Sequence, residues 1–181
     1  MFFFDNSIYG KNSFSKQIKI VNEFVLNSPN EDDSISIVLL SKGETSYNSS
    51  FYPIPTYDYG EFYTSLAAIS NQPPAKDNIS YFVLTSDVAS KNNLSDVNLY
   101  TKNPILVYFI DSYINRIEDT RNILNMISEF SNTTVKVVSI IFDTMKFSTA
   151  TFLTKDFSSV HLSTDHKETS QWLYKQYQIS Q

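Results

Sequence analysis

The sequence predicts an α/β fold, a three-layer, Rossmann-like arrangement in which a mainly parallel central sheet carries helices on both faces. Three observations predict it. Short apolar runs recur along the chain at Met1-Phe2-Phe3-Phe4, Ile35-Ser36-Ile37-Val38-Leu39-Leu40, Ile105 to Ile110 and Val135 to Phe142. Most are nearly continuous, as strands covered on both faces must be. Between them lie segments with apolar residues at steps of three and four, the stripe of a helix laid on a sheet. The third observation is size: 181 residues, 41% hydrophobic and 18% charged, suffice for a two-sided core in one domain spanning residues 1–181. Strands alternating with helices give a parallel sheet joined by right-handed crossovers.

The first run reads as the central strand, ending in a loop with Asp5 and Ser7. In open α/β sheets this carboxyl-end loop faces the ligand crevice. Ser13 is the expected N-cap of a first helix with Phe14, Ile18, Val21 and Val25 on its apolar face. Pro29 ends that segment, because proline disfavours helical geometry at Ser28. Ser34 to Leu40 is then a buried parallel strand, and Lys42-Gly43-Glu44 a turn. Tyr47 to Ile54 is expected as an edge strand closed by Pro53 and Pro55, since edges tolerate proline. Tyr59 to Ser70 follows as a helix with Phe62, Leu66 and Ile69 on one side, broken at Asn71-Gln72-Pro73-Pro74.

Residues 79–91 carry two signals. Ile79-Ser80-Tyr81-Phe82-Val83-Leu84-Thr85 has strand composition, yet Ile79, Phe82, Val83 and Val88 also fall at helical spacing. Helix is the expectation, because a strand here would leave residues 87–103 as a long connection of a kind compact domains rarely contain. If it were a strand, Asp87 would take the place that Asp111 holds at the end of the Ile105 to Ile110 run.

Beyond it the pattern is clean. Ile117, Leu124 and Ile127, flanked by Ile123 and Phe130, make an amphipathic helix with Arg116, Glu118, Asp119 and Arg121 on its wet face. Val135 to Phe142 is a buried strand and Phe157 to Leu162 a shorter one. Thr164-Asp165-His166-Lys167-Glu168 opens a last helix with Trp172, Leu173 and Ile179.

Composition narrows the function classes. A net charge of −5 with no basic patch makes nucleic acid and anionic membranes poor partners. No apolar run nears the ~20 residues of a spanning helix. The absence of cysteine removes disulfides, thiolate zinc sites and cysteine nucleophiles together. Four Asn-x-Ser/Thr triplets, at Asn48, Asn78, Asn93 and Asn132, fit the glycosylation pattern of a secreted glycoprotein, though a chain this rich in Asn, Ser and Thr yields about three by chance. The chain opens directly inside its first strand, so a preceding portion is expected.

Enzyme motifs are sparse. The three glycines, Gly10, Gly43 and Gly60, form no Gly-x-Gly or Gly-Lys-Ser/Thr loop of the kind that cradles phosphate. No glycine-flanked serine resembles a nucleophile elbow. His161 and His166 bracket a turn far from the first-strand loop and read as exposed or capping residues. Glu31-Asp32-Asp33 reads as solvated loop. The cluster Tyr47, Tyr52, Tyr57, Tyr59 and Tyr63 suits a binding surface or edge packing.

The run Asp5-Asn6-Ser7-Ile8-Tyr9 at the end of a first strand resembles the opening of a von Willebrand factor A (vWA) domain, where that strand runs into Asp-x-Ser-x-Ser. The resemblance extends over nearly the whole order of elements. It implies a metal-ion-dependent adhesion site formed with a loop threonine and an aspartate ending the fourth strand. Residue by residue, Asp5 and Ser7 match the first two positions and Asp111 matches the fourth-strand aspartate. Tyr9 stands where the second serine belongs. The threonine position falls in Lys76-Asp77-Asn78, with Thr56 the nearest upstream hydroxyl. The implied site is thus degenerate: Asp5, Ser7 and Asp111 could hold at most a weakly bound, hydrated Mg²⁺ or Mn²⁺. Turn chemistry alone also accounts for these residue types.

The resemblance implies a non-catalytic, secreted, adhesion-type module that binds a protein or extracellular-matrix ligand, metal-independently given the incomplete motif. A Rossmann-like hydrolase or nucleotide-binding enzyme, or a degenerate spacer domain of a larger secreted protein, is the alternative. In its Asn/Ser/Thr-rich style the chain is similar to some nematode secreted proteins.

Overall fold

The computed structural model describes residues 2–7, 10–27, 37–38, 59–71, 73–74, 81, 85–86, 105–130 and 135–180. Among the described residues, five strands form one sheet: β1 (Phe2–Phe3), β2 (Ile37–Val38), β3 (Ile105–Ile110), β4 (Lys136–Ile141) and β5 (Val160–Leu162). Their order is β2-β1-β3-β4-β5, and every pairing is parallel. The opening apolar run is therefore central, as its composition requires. Phe2 pairs with Ile37 on one side and Val107 on the other. The chain winds one way from β1 to β2 and the other way from β1 to β3, so the order reverses between β1 and β3.

Five labelled helices cover the sheet: α1 (Lys11–Leu26), α2 (Tyr59–Ser70), α3 (Ile117–Phe130), α4 (Phe147–Thr154) and α5 (His166–Ser180). Alternation along the strands assigns them to two layers. Phe2, Phe4, Val107, Phe109, Val138 and Ile140 face a core completed by Phe24 of α1, Leu66 of α2 and Leu173 of α5. Phe3, Leu106, Tyr108, Ile110, Val137 and Ile141 face the opposite core, completed by Leu124 of α3 and Leu153 of α4. Fully burying one such side chain contributes about 1.5–3 kcal/mol, so the two cores are the main source of stability. Tyr81, Thr85 and Ser86 are helical, in agreement with the helical expectation for this segment. Tyr81 joins the second core and meets Tyr108 edge-on, with centroids 5.2 Å apart.

Three expectations change, and one helix, α4, was not expected from the sequence. Ser13 does not cap α1: the helix begins at Lys11 behind Gly10, with no side-chain cap, and Ser13 sits in its first turn. Helix α4 rises from Phe147-Ser148-Thr149-Ala150-Thr151, a stretch poor in strong helix formers, because Ala150 and Leu153 bury in the second core. Phe157 to Ser159 forms a 3₁₀ turn and only Val160–Leu162 pairs with β4, since Asp156 accepts the Ser158 N–H at 2.9 Å and curls the chain. Arg121 leaves the wet face of α3 and donates from Nη1 to the Leu153 carbonyl at 2.6 Å.

The expected turn at 42–44, the edge strand at 47–54, the acidic run at 31–33 and the four glycosylation triplets lie outside the described residues. So do Tyr9, Thr56, residues 76–78 and Asp87. Among the described residues, no helix is long and apolar enough to cross a membrane.

Candidate functional site at the β1–β3 switch point

The strand order reverses between β1 and β3, and the carboxyl ends of strands at such a reversal are where open α/β sheets bind ligands. Asp5 and Ser7 stand at one strand end, Asp111 and Ser112 at the other. The three residues singled out in the sequence, Asp5, Ser7 and Asp111, are thus brought together.

Asp5 is fully buried and its carboxylate is saturated. Oδ1 accepts the Ser7 hydroxyl at 2.8 Å and the Ser7 backbone N–H at 3.2 Å. Oδ2 accepts the backbone N–H groups of Asp111 at 3.1 Å and Ser112 at 2.6 Å. A carboxylate offers about four lone-pair positions, and all of them are taken. The Asp5 backbone is held as well. Its N–H donates to Gln17 Oε1 at 2.8 Å, and its carbonyl accepts from Gln17 Nε2 at 3.0 Å. Gln17 Nε2 also reaches Ser13 Oγ at 3.0 Å, so one buried face of α1 serves the loop. Ser7 Oγ accepts the Gly10 N–H at 3.0 Å, and the Ser13 hydroxyl donates to the Gly10 carbonyl at 3.1 Å. Gly10 is required by space, not by conformation: its φ is −85°, yet a Cβ there would lie 2.5 Å from Asp5 Oδ1 and 2.8 Å from the Asp5 carbonyl oxygen.

Asp111 differs in kind. It is half-buried, and burial raises its carboxyl above the ordinary 3.8. The Ser13 hydroxyl, when it turns from the Gly10 carbonyl to this carboxylate, draws it back down, the Asp5 charge raises it, Lys146 lowers it and Asp143 raises it again. Asp143 follows β4 and caps a 3₁₀ turn by accepting the Met145 N–H at 2.9 Å. The Tyr81 hydroxyl donates to the Phe109 carbonyl near the end of β3. Burial first, then the nearby Asp5, Tyr108 and Asp111, hold that phenol well above its ordinary 10.0.

No protein-family model matches this chain, and no curated protein matches its sequence.

The metal ion implied by the vWA resemblance can be tested on the donor set. Mg²⁺ takes oxygen ligands in near-octahedral geometry. Asp5 has no unused acceptor position, and the Ser7 hydroxyl, which donates to Asp5 and accepts from Gly10, keeps a single lone pair. Among the described residues, no three His, Asp or Glu side chains converge as a metal cradle. These residues fit a hydrogen-bonded bracket between two strand ends and do not fit a metal site. Asp111 is the one of the three with a partly open carboxylate.

Large apolar side chains rim the same sheet edge. Tyr113 after β3 is 68% exposed, and Met145 and Phe147 after β4 are 78% and 40% exposed. Sequence reasoning missed Gly10, Gln17 and Lys146 as parts of this region. Gly10 was the most accessible to it: a lone glycine five residues after an aspartate at a strand end, before a helix, is a signal of close backbone approach.

Proposed function

We propose that the chain is a non-catalytic protein-binding module of vWA type that works without a metal ion. The carrying observation is the saturated Asp5 carboxylate, which makes the first-strand aspartate an internal brace. The partner is a protein or extracellular-matrix ligand, met along the edge formed by Asp111, Tyr113, Met145 and Phe147. Exposed aromatic and methionine side chains around a partly desolvated charge are the composition that interface centres favour. A carboxylate kept half-buried near two others is costly to retain, which suits a binding role better than a structural one. Secretion and adhesion rest on the family resemblance alone.

The test is solid-phase binding of the purified chain to a panel of extracellular-matrix proteins in EDTA. Saturable binding that persists in EDTA and weakens about tenfold or more in a Tyr113→Ser/Met145→Ser double variant supports the reading, tenfold being ~1.4 kcal/mol at the interface. Binding indifferent to both substitutions contradicts it. A saturable calorimetric signal from a nucleotide panel would favour the alternative, a nucleotide-binding enzyme on the same sheet.

A further inference from the structure

The fold sets the chain's single tryptophan against one of its two histidines. The His161 ring on β5 stacks on the Trp172 indole of α5, with centroids 4.7 Å apart and planes 21° from parallel. The histidine side chain is 13% exposed. Its Nε2 is buried and has no hydrogen-bond partner.

Two charges face this ring from different elements. Glu168 of α5 holds Oε1 4.0 Å from Nε2, while its Oε2 accepts the Thr164 hydroxyl at 3.0 Å. Lys16 of α1 reaches the same corner and donates to the carbonyls of Ser163 at 2.8 Å and Thr164 at 2.7 Å. From β4, Ile140 pairs with His161 and brings no charge. His166 lies at the start of α5 with its Nδ1 3.6 Å from Asp165, and its side chain is 30% exposed.

We propose that His161 is a pH-sensitive latch: neutral, it holds α5 on β5 through the Trp172 stack, and protonated, it loosens that helix. A neutral imidazole suits the apolar slot. An imidazolium has two N–H donors and a charge to solvate, and leaving it unpaired when buried is costly. Glu168 stands beyond hydrogen-bond distance, and Lys16 carries the same sign. Burial is the largest influence and lowers the proton affinity of His161 below the ordinary 6.5, with Glu168 opposing and Lys16 adding. The folded chain thus binds this proton more weakly than the unfolded chain. Stability is full above the unfolded value of 6.5 and declines as pH falls below it, levelling off once the folded value is passed. Helix α5 also packs on α1, where Tyr177 meets Phe24 edge-on at 6.0 Å, so its loosening would expose aromatic surface on both.

The test follows both histidine Cε1 protons by NMR and the Trp172 emission from about pH 8 to pH 5, the range in which histidine titrates. The expected result is one histidine titrating below 6.5 and a change in Trp172 emission with the same midpoint. His161→Phe, which keeps a ring against the indole, should flatten the emission curve, whereas His166→Gln should leave it intact. If His161→Phe does not fold, the coincidence of the two midpoints in the wild type and in His166→Gln decides the matter. Both histidines titrating at or above 6.5, or an emission transition that survives in His161→Phe, would overturn the proposal.

Discussion

The Asp5 carboxylate accepts the Ser112 backbone N–H at 2.6 Å across 107 residues of chain. With the Asp111 N–H on the same oxygen and Ser7 on the other, it ties the carboxyl ends of β1 and β3 together. Asp5→Ala would leave three backbone N–H groups and a hydroxyl short of an acceptor in a buried position. The expected loss is roughly 3–5 kcal/mol, read from the urea midpoint, because unsatisfied buried donors cost far more than a hydrogen bond gains.

Gly10→Ala should act on the same bracket through space. The φ of −85° suits alanine, so the whole effect comes from a methyl group 2.5 Å from Asp5 Oδ1 and 2.8 Å from a backbone oxygen that cannot swing away. Overpacking of this kind costs about 1–3 kcal/mol. Urea unfolding of this variant should show a lower midpoint with an unchanged slope.

Ser112→Ala should be neutral or mildly stabilising, by up to about 1 kcal/mol. The Ser112 hydroxyl is buried without a hydrogen-bond partner, so removing it ends a desolvation cost, while the backbone N–H that serves Asp5 is retained. A thermal melt of the variant checks this.

Asp111 supplies a pH dependence of known sign. Its folded carboxyl titrates above the ordinary 3.8, chiefly through burial, so the folded state holds this proton more tightly than the unfolded chain. The group therefore costs no stability below 3.8 and an increasing amount as pH rises through the folded value. Asp111→Asn should raise the urea midpoint at pH 7 and leave it unchanged at about pH 3. Under the binding proposal the same variant loses affinity for its partner.

How far the sequence revealed this arrangement varies with the physical signal. The strand at Ile105–Ile110, the helix at Tyr59–Ser70 and the stripes of α1 and α3 were legible because burial on both faces, or on one stripe, dictates apolar periodicity. Asp5, Ser7 and Asp111 were legible as a set only through the vWA resemblance, and the structure brings them together because β1 and β3 are neighbours in the sheet. Helix α4 was not, since Ser148, Thr149 and Thr151 have weak helical preference and only tertiary contacts of Ala150 and Leu153 hold it. Nor was the role of Gln17, a polar residue inside an apolar stripe, which becomes intelligible only once the Asp5 backbone lies beside it. His161 read as exposed or capping because the indole that covers it comes from eleven residues further along, on another element.

The central claim is that Asp5 is a brace and not a metal ligand, and thermal melts in EDTA, Mg²⁺, Mn²⁺ and Ca²⁺ test it most directly, run on the wild type and on Asp111→Ala. The account predicts coincident midpoints in all four conditions for each protein. A midpoint raised by Mg²⁺ or Mn²⁺ and lost in Asp111→Ala would contradict it, since an ion that binds only the folded state adds ~2.7 kcal/mol at a hundredfold excess over its dissociation constant.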